Sequence, residues 1–214
     1  MDSLNSRQFI SIFKTACKKM TEKYIEKLRV LDASIGDGDL GITINKGNTA
    51  VVNYLDDLEE KDIGKILKMS GMEFNEANPS TFGVFTATAF MKGGGAVKGK
   101  ESLDLKDIKD IFIAAKDGII DKGGAELGDK TMIDALHPAV EELKNASAKE
   151  LSIEEAIDNA CSAAEIGMKN TIDMKAQQGR AHSFGERTIG EQDPGATVVF
   201  YFLKEIGNAI AEQL

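Results

Sequence analysis

Residues 34–41, SIGDGDLG, decide between two fold classes for this chain. Gly36, Gly38 and Gly41 match G-x-G-x-x-G, the pattern of a dinucleotide-binding loop in an α/β fold. Such a loop must follow a buried strand and open a helix. Here the preceding residues place apolar side chains at helical spacing, so a parallel sheet is not predicted. A calcium-binding EF-hand loop is excluded as well, because Asn48 stands where that loop requires a bidentate glutamate.

Outward from this stretch, apolar residues recur at helical spacing through almost the whole chain. The helical patterns begin near residues 9, 51, 63, 82, 105, 132, 153 and 196. Ser152 and Glu155 form a capping-box pattern before the seventh of them. No segment shows the sustained alternation that is typical of strands. We therefore predict an all-α fold, in which a single domain (1–214) forms an antiparallel barrel or bundle of about eight helices.

The bulk composition limits the classes of function. Of the 214 residues, 42% are apolar and 29% are charged, and the formal net charge is −9. Because nucleic acids and anionic membranes require a basic face, we expect neither as a partner. Cys17 and Cys161 are too few for a disulfide framework and are predicted to be buried free thiols. The sequence has no signal-peptide pattern and no long apolar run, which predicts a cytoplasmic protein.

Four polar, glycine-rich segments interrupt the helical pattern. They are residues 32–41, 74–81, 122–131 and 176–195. Each one connects an odd-numbered helix to the next even-numbered helix. Since alternate connections of an antiparallel bundle lie at the same end, we expect all four at one rim. Polar chemistry concentrated in loops at one rim predicts that this end carries the function.

Asp32, Asp37 and Asp39 are candidate metal ligands. Three carboxylates in so tight a turn repel one another and raise their pKa values, and a divalent cation removes that cost. Hard carboxylate oxygens suit Mg²⁺, which keeps some water and shares its coordination with substrate phosphates. On this motif alone, a solvated acidic turn without a ligand is an equally good interpretation.

The fourth polar segment contains two arginines. An arginine beside a magnesium-bound phosphate would stabilise the charge on the phosphoryl oxygens, which makes Arg180 and Arg187 candidates. For Arg187 the favoured alternative is a structural ion pair with Glu186 or Glu191.

Three further motifs also have structural alternatives. Residues 128–131, GDKT, are interpreted as a cap for the sixth helix through Asp129, and Met132 either lines an adenine pocket or packs in the core. Residues 193–195, DPG, are interpreted as a turn that starts the last helix. Residues 94–101, GGAVKGKE, match G-x-x-x-x-G-K, but no strand precedes them, and they are predicted to end a helix.

Four ordered motifs carry a resemblance to a known family: LDASIGDGDLG with TINKG, DIGKILKMSGM, GDKTMIDALHPAV and GRAHSFGERTIGEQDPGATVV. Along essentially its whole length the chain resembles the nucleotide-binding L subunit of dihydroxyacetone kinase. The resemblance implies an eight-helix barrel with ADP or ATP at one rim. It implies two Mg²⁺ ions, held by Asp32, Asp37 and Asp39, that bridge the nucleotide phosphates. Catalysis would then depend on these aspartates and on Arg180 as a phosphate contact.

The resemblance also implies nucleotide contacts from all four polar segments. They fall on Leu40, Gly41, Thr43, Ser80, Thr81, Gly123, Thr131, Met132, Arg180, Asp193, Pro194 and Gly195. Hydroxyl and backbone N–H groups at the start of a helix can hold phosphate, which gives Ser80 and Thr81 a role. As an alternative, these two residues serve only as N-caps.

The chain departs from the family pattern at three places. Leu40 replaces the usual histidine after the second aspartate of the loop, and Thr43 replaces an asparagine. Residues 75–83, NEANPSTFG, replace a longer glycine-rich phosphate loop. We therefore expect a changed grip on the terminal phosphates.

The resemblance implies a phosphoryl-transfer subunit that acts on a sugar held by a separate K-type subunit. The donor is ATP in one branch of the family, and in the other a phosphotransferase-system protein rephosphorylates bound ADP. A triose or a tetrose fits as the small keto-sugar or polyol, and a homodimer is compatible with the family. The alternatives are a nucleotide-binding regulatory module without kinase turnover and a helical interaction protein that binds no nucleotide.

Overall fold

A computed structural model describes residues 2–213 of the chain, and within that range the fold is built from α-helices, as predicted. The helices are α1 (Ser6–Ile35), α2 (Leu40–Leu55), α3 (Ile63–Ala77), α4 (Thr81–Ala96), α5 (Leu105–Gly123), α6 (Ile133–Ala148), α7 (Ile153–Asn170) and α8 (Pro194–Ala211). Two short strands, β1 (Leu4–Asn5) and β2 (Ser102–Leu103), pair antiparallel. Two residues per strand are too few to give an alternating pattern in the sequence.

Local capping fixes where several helices begin. At the start of α7 the Glu155 amide donates to Ser152 Oγ at 3.2 Å, and the Ser152 amide donates to Glu155 Oε2 at 3.1 Å. This reciprocal pair is the capping box that the sequence predicts, and it satisfies two amides that the helix leaves free. Asp104 and Asp107 form the same arrangement at the start of α5.

Each helix packs against its neighbours in the chain, and α8 packs against α1, which closes the ring of helices into a barrel. Side chains from all eight helices meet in one apolar cluster, which includes Phe13 and Met20 of α1 and Phe74 of α3. Cys17 is buried in this core as a free thiol, as predicted. The same prediction is wrong for Cys161, which is only half-buried because it lies at the edge of the core.

The helices run further than their apolar patterns indicate. Because α1 continues through Ile35, Asp32 lies in the last turn of a helix and not in a loop that begins at residue 32. The connection between α1 and α2 is therefore only residues 36–39, and the connection between α3 and α4 is only residues 78–80. In both places polar residues occupy a helical turn that borders the functional end of the barrel.

The GGAVKGKE stretch ends α4, as predicted. The helix stops at Ala96, and Gly99 follows with a left-handed φ of 82°. Lys100 pairs with Asp107 of α5 at 2.5 Å. This turn lies at the end of the barrel opposite to the four polar connections, because it follows the C-terminus of an even-numbered helix. Within residues 2–213, no helix combines the length and the apolarity that a bilayer crossing requires.

Candidate functional site

The four odd-to-even connections meet at one end of the barrel and surround a cleft of about 270 Å³. All four polar segments contribute to its lining, which confirms their predicted placement. The lining includes the predicted residues Asp32, Asp37, Asp39, Leu40, Ser80, Thr81, Gly123, Thr131, Met132, Arg180, Asp193, Pro194 and Gly195.

Asp32, Asp37 and Asp39 lie on one wall of this cleft. One carboxylate oxygen from each can be chosen so that all three lie within 4.8 Å of one another. Asp32 Oδ2 also accepts a hydrogen bond from the Leu40 amide at 3.1 Å, which ties the last turn of α1 to the first turn of α2. Asp39 is the N-cap position of α2, but its carboxylate makes no capping hydrogen bond and stays available in the cleft.

The glycines of SIGDGDLG have separate structural roles. A Cβ at Gly36 would run into the Asp32 carboxylate, so glycine makes room for that side chain. Gly38 has a left-handed φ of 75°, which residues with side chains rarely adopt. Gly41 packs against α1, where a Cβ would lie 2.7 Å from the Ile25 carbonyl oxygen. Gly41 therefore supports the turn and does not line the cleft.

The electrostatics of the cluster suit a cation. Burial raises the pKa of Asp39, and the negative charge of Asp32 raises it further. The Arg180 guanidinium contacts the Asp37 carboxylate and lies 4.0 Å from Asp39 Oδ2. These three carboxylates carry more negative charge than one arginine balances. Three hard oxygen donors that repel one another fit a divalent cation such as Mg²⁺.

The first residue of each even-numbered helix (Leu40, Thr81, Ile133 and Pro194) lines the cleft. Ser80 caps α4, since its Oγ accepts from the Gly83 amide at 3.0 Å, so the predicted N-cap role holds for Ser80 and not for Thr81. Thr81 is the first residue of α4 and lines the cleft beside it. Free N–H groups in a first helical turn favour a bound anion. A phosphate contact at Ser80 and Thr81 stays a prediction.

Thr43 lies behind this wall and is fully buried, outside the cleft lining. Its hydroxyl donates to Ser80 Oγ at 3.4 Å and accepts from Asn78 Nδ2 at 3.0 Å. Thr43 is thus placed to fix the short turn between α3 and α4. The resemblance implied a nucleotide contact for Thr43, but motif matching does not show that its side chain is buried behind the cleft lining.

The cleft also has an apolar wall, at which sequence reasoning placed Met132 and Gly123 but missed Phe85 and Ile119. Phe85 of α4 and Ile119 of α5 lie there beside Met132. Gly123 is required at this wall, because a Cβ would lie 2.8 Å from the Phe85 ring. Phe85 and Ile119 belong to the apolar faces of their helices, so periodicity indicates burial but cannot distinguish a cleft wall from the core.

The connection before α6 is capped differently from the prediction. Asp134, not Asp129, accepts hydrogen bonds from the Gly128 amide at 2.6 Å and the Thr131 amide at 2.8 Å. Asp129 instead accepts from the Glu126 amide within its own loop at 2.8 Å. The prediction failed because a carboxylate in the first turn of a helix can bond backward to the loop amides that precede it.

The connection between α7 and α8 carries Arg180 on a 3₁₀ segment, Arg180–Thr188, which is kinked at Gly185. Arg187 stacks over the Phe184 ring, with 5.4 Å between the guanidinium carbon and the ring centroid. The predicted ion pair of Arg187 with Glu186 or Glu191 is wrong for the described residues, because Glu186 pairs with Lys175 at 2.7 Å.

Asp193 ends this connection and starts α8. Its carboxylate accepts from the Ala196 amide at 2.6 Å, so the DPG motif does begin the last helix. Burial raises the pKa of Asp193 to about 7, against the opposing effects of the Ala196 amide and the Lys130 charge. Pro194 and Gly195 follow in the first turn, and Gly195 lies against Met132 on the cleft wall.

The structure is thus a barrel of α-helices with an acidic cluster, an arginine, helix N-termini and apolar side chains around one cleft. The chain belongs to the DAK2 domain family, whose profile matches residues 34–208. This confirms the family resemblance read from the four motifs.

Known proteins resemble the chain over most of its length. The ADP-binding subunit DhaL of the PEP-dependent dihydroxyacetone kinase of Escherichia coli (strain K12) is 39% identical over 210 residues, covering 98% of this chain and 100% of that protein. The ADP-binding subunit DhaL of PEP-dependent dihydroxyacetone kinase 2 of Listeria innocua is 37% identical over 179 residues, covering 83% of this chain and 82% of that protein.

A solved structure shares the fold. The crystal structure of the dihydroxyacetone kinase from C. freundii in complex with AMP-PNP and Mg²⁺ superimposes with a TM-score of 0.67 at 24% sequence identity. The similarity covers 100% of this chain and 35% of the C. freundii chain. The barrel seen here is therefore similar to about a third of that longer kinase.

Proposed function

We propose that this chain is the nucleotide-binding, phosphoryl-transfer subunit of a dihydroxyacetone-type kinase. The observation that carries the proposal is the grouping of Asp32, Asp37 and Asp39 in a cleft that also has an apolar wall. The names of the two DhaL relatives, both ADP-binding subunits, support it.

Each wall of the cleft has its own role in this proposal. Phe85 and Ile119 provide an apolar surface for the flat face of an adenine ring. The three aspartates would hold two Mg²⁺ ions, and these ions neutralise the phosphates of ADP or ATP when they are bound. Arg180 lies beside the aspartates and donates hydrogen bonds to the phosphoryl oxygens, where negative charge accumulates during transfer.

The sugar is proposed to be held by a second, K-type subunit. In the transfer, the bond between the terminal phosphorus and the ADP oxygen breaks, and a bond from that phosphorus to a sugar hydroxyl oxygen forms. A base of the K-type subunit accepts the hydroxyl proton. The name "PEP-dependent" of both relatives favours a phosphotransferase-system protein that rephosphorylates bound ADP. A homodimer of this chain stays a prediction.

Thermal unfolding of the purified chain tests the site. We compare EDTA, Mg²⁺ alone, and Mg²⁺ with ADP or ATP. A ligand at about one hundred times its dissociation constant adds roughly 2.7 kcal/mol to the free energy of unfolding. For a domain of this size that raises Tm by roughly 5–10 °C. The rise should require both Mg²⁺ and nucleotide, and the chain alone should not phosphorylate dihydroxyacetone.

The matched variants are Asp37→Ala in the cluster and Asp117→Ala on α5. Asp117 is an exposed aspartate outside the cleft. We expect Asp37→Ala to lose the nucleotide-dependent rise and Asp117→Ala to keep it. An unchanged Tm for the wild-type chain, in a preparation shown by absorbance to be free of nucleotide, would refute the proposed function.

A further inference from the structure

Lys130 is the most deeply buried charged side chain next to the cleft, and the proposed chemistry gives it no task. It lies in the connection between α5 and α6 with only 1% of its surface exposed. Its backbone has a φ of 63°, a left-handed conformation that non-glycine residues rarely adopt. Such a backbone conformation costs free energy and persists where the surrounding structure stabilises it, which indicates that the Lys130 side chain makes important contacts.

The Lys130 ammonium is surrounded by four main-chain carbonyl oxygens. The distances from Nζ are 2.7 Å to Thr171, 3.1 Å to Met174, 2.7 Å to Thr188 and 2.5 Å to Glu191. Within residues 2–213 no carboxylate lies in ion-pair distance of this ammonium, so carbonyl dipoles balance its charge. Burial lowers the pKa of Lys130, while Asp193 and Glu191 act in the opposite direction.

The four carbonyl groups form two pairs along the chain. Thr171 and Met174 precede residues 175–187, and Thr188 and Glu191 follow them. Residues 175–187 are the excursion of the chain that carries Arg180, and we call this segment the arginine loop. One ammonium group therefore joins both ends of the arginine loop and fastens them to the connection before α6.

Other bonds also hold the base of the arginine loop. The Ala176 amide donates to Thr188 Oγ1 at 3.0 Å, the Asp193 amide donates to Thr171 Oγ1 at 2.9 Å, and Lys175 Nζ donates to Glu186 Oε1 at 2.7 Å. The Gly190 amide donates to the Ile172 carbonyl at 2.8 Å, and the Gln177 amide donates to the Asp129 carbonyl at 3.0 Å. Each of these joins only two points.

Without the ammonium, the Thr171 and Thr188 carbonyls would keep the Met174 and Glu191 amides as donors at 3.1 and 3.3 Å, but the carbonyls of Met174 and Glu191 would lose the donor that Lys130 supplies. Desolvated carbonyl groups without a donor favour opening of the loop to water.

We propose that Lys130 is a positioning residue that holds the ends of the arginine loop together and thereby keeps Arg180 beside the aspartate cluster. The inference rests on the proposed function, since it gives Arg180 its task as a phosphate contact. The order in the arginine loop itself, however, can be measured without any nucleotide.

The first experiment compares Lys130→Met with Lys100→Met. Methionine keeps the length and most of the volume of the lysine stem but cannot donate a hydrogen bond. Lys100 also makes a 2.5 Å contact, with Asp107, but at the opposite end of the barrel. In Lys130→Met we expect trypsin to cleave after Arg180 and Arg187 at least about tenfold faster, and Mg²⁺-ADP to bind at least about tenfold more weakly, which corresponds to about 1.4 kcal/mol. Lys100→Met should match the wild-type chain in both.

The second experiment uses Lys130→Ala, which removes three carbon atoms and the ammonium group. Propylammonium ion has the same atoms and should restore both the resistance to trypsin and the nucleotide affinity in a saturable way. Tetramethylammonium ion carries the same charge without any N–H donor and should restore neither. If Lys130 only stabilised the fold in general, propylammonium would not restore trypsin resistance and nucleotide affinity more than tetramethylammonium does.

The outcomes separate the two proposals. If the wild-type chain binds no nucleotide, the proposed function fails, and the trypsin rates still decide whether Lys130 orders the arginine loop. If Lys130→Met matches the wild-type chain in cleavage and affinity, the inference is wrong. It is also wrong if Lys130→Met fails to fold while Lys100→Met folds, because Lys130 would then support the whole barrel and not the arginine loop.

Discussion

At the scale of single residues, the geometry of the aspartate cluster depends on the glycines between the aspartates as much as on the carboxylates. Gly36 leaves space for the Asp32 side chain, and Gly38 supplies a left-handed turn. The Leu40 amide then orients Asp32 by a hydrogen bond of 3.1 Å. A sequence of alternating glycine and aspartate therefore gives a compact cluster, because each glycine solves a different steric problem.

Asp193 gives a prediction about pH at this scale. The pKa of Asp193 in the folded chain is raised to about 7, mainly by burial, while an aspartate in the unfolded chain has a pKa near 3.9. Between these values the unfolded chain loses a proton that the folded chain keeps. The contribution of Asp193 to stability is therefore present below about pH 4 and is lost progressively as the pH rises to about 7.

We expect Asp193→Asn to keep the N-cap, since asparagine also caps helices well, and to lack this pH dependence. Relative to the wild-type chain, the variant should become more stable as the pH rises from 4 to 7, by on the order of a few kcal/mol. Urea unfolding across that range measures the difference, and carbon NMR of the Asp193 carboxyl measures its pKa. A stability difference that stays constant with pH would contradict the prediction.

At the scale of elements, close helix packing depends on where glycines meet a neighbouring backbone. Helices α3 and α4 approach so closely that a Cβ at Gly64 would lie 2.5 Å from the Gly94 carbonyl oxygen and 2.8 Å from Lys98 Cα. The obstacles are backbone atoms, which cannot move aside as a flexible side chain can.

Pro138 of α6 allows close packing in a related way. It leaves the Asp134 carbonyl without its helical donor, and Gly167 of α7 packs against that carbonyl.

Gly64→Ala should therefore reduce the free energy of unfolding by about 1–3 kcal/mol, because the two helices must separate. The matched control is Gly95→Ala in α4, where a Cβ meets no atom within 4 Å. That change should be neutral or stabilising by up to about 1 kcal/mol, since alanine favours the helix more than glycine does. Chemical denaturation measures both. Equal effects of the two substitutions would show that backbone contact is not the cause.

At the scale of the whole molecule, contact between the first and the last helix closes the barrel. Glu205 of α8 is 1% exposed and accepts hydrogen bonds from three side chains. The distances are 2.5 Å from Tyr24 Oη and 3.0 Å from Lys23 Nζ on α1, and 3.3 Å from Asn208 Nδ2 on α8. Burial by itself raises the pKa of Glu205, but these donors outweigh it and the net pKa is lowered.

Glu205→Gln should weaken this closure. A lowered pKa means that the charged carboxylate stabilises the folded chain above the unfolded pKa near 4.3, and that this contribution is lost as the pH falls through the folded pKa. We expect a loss of about 1.5–3 kcal/mol at pH 7. The difference between variant and wild type should shrink below about pH 4.

Urea unfolding at pH 7 and at low pH measures this effect. Glu26→Gln is the matched control, because Glu26 is an exposed partner of Arg29 within the same helix α1. It should change the free energy of unfolding little at either pH. A Glu205→Gln deficit that does not depend on pH would assign the effect to packing and not to the carboxylate charge.

The sequence by itself determined the helical class, the order of the helices and the end of the barrel at which the polar segments meet. Helical periodicity is a local property, and the alternation of chain direction in an antiparallel barrel then places the four connections together. The aspartates of SIGDGDLG and the arginine of GRAHSFG could be predicted as neighbours for this reason.

Only the tertiary structure decided which residues of each helix face the cleft. Phe85 and Ile119 line it, Thr43 lies behind it, and Asp32 belongs to a helix that continues past its apolar pattern. The contacts of Lys130 join it to residues 41 to 61 positions later in the chain. Periodicity shows that a side chain is buried, but it does not identify the partner, because that depends on how distant segments pack together.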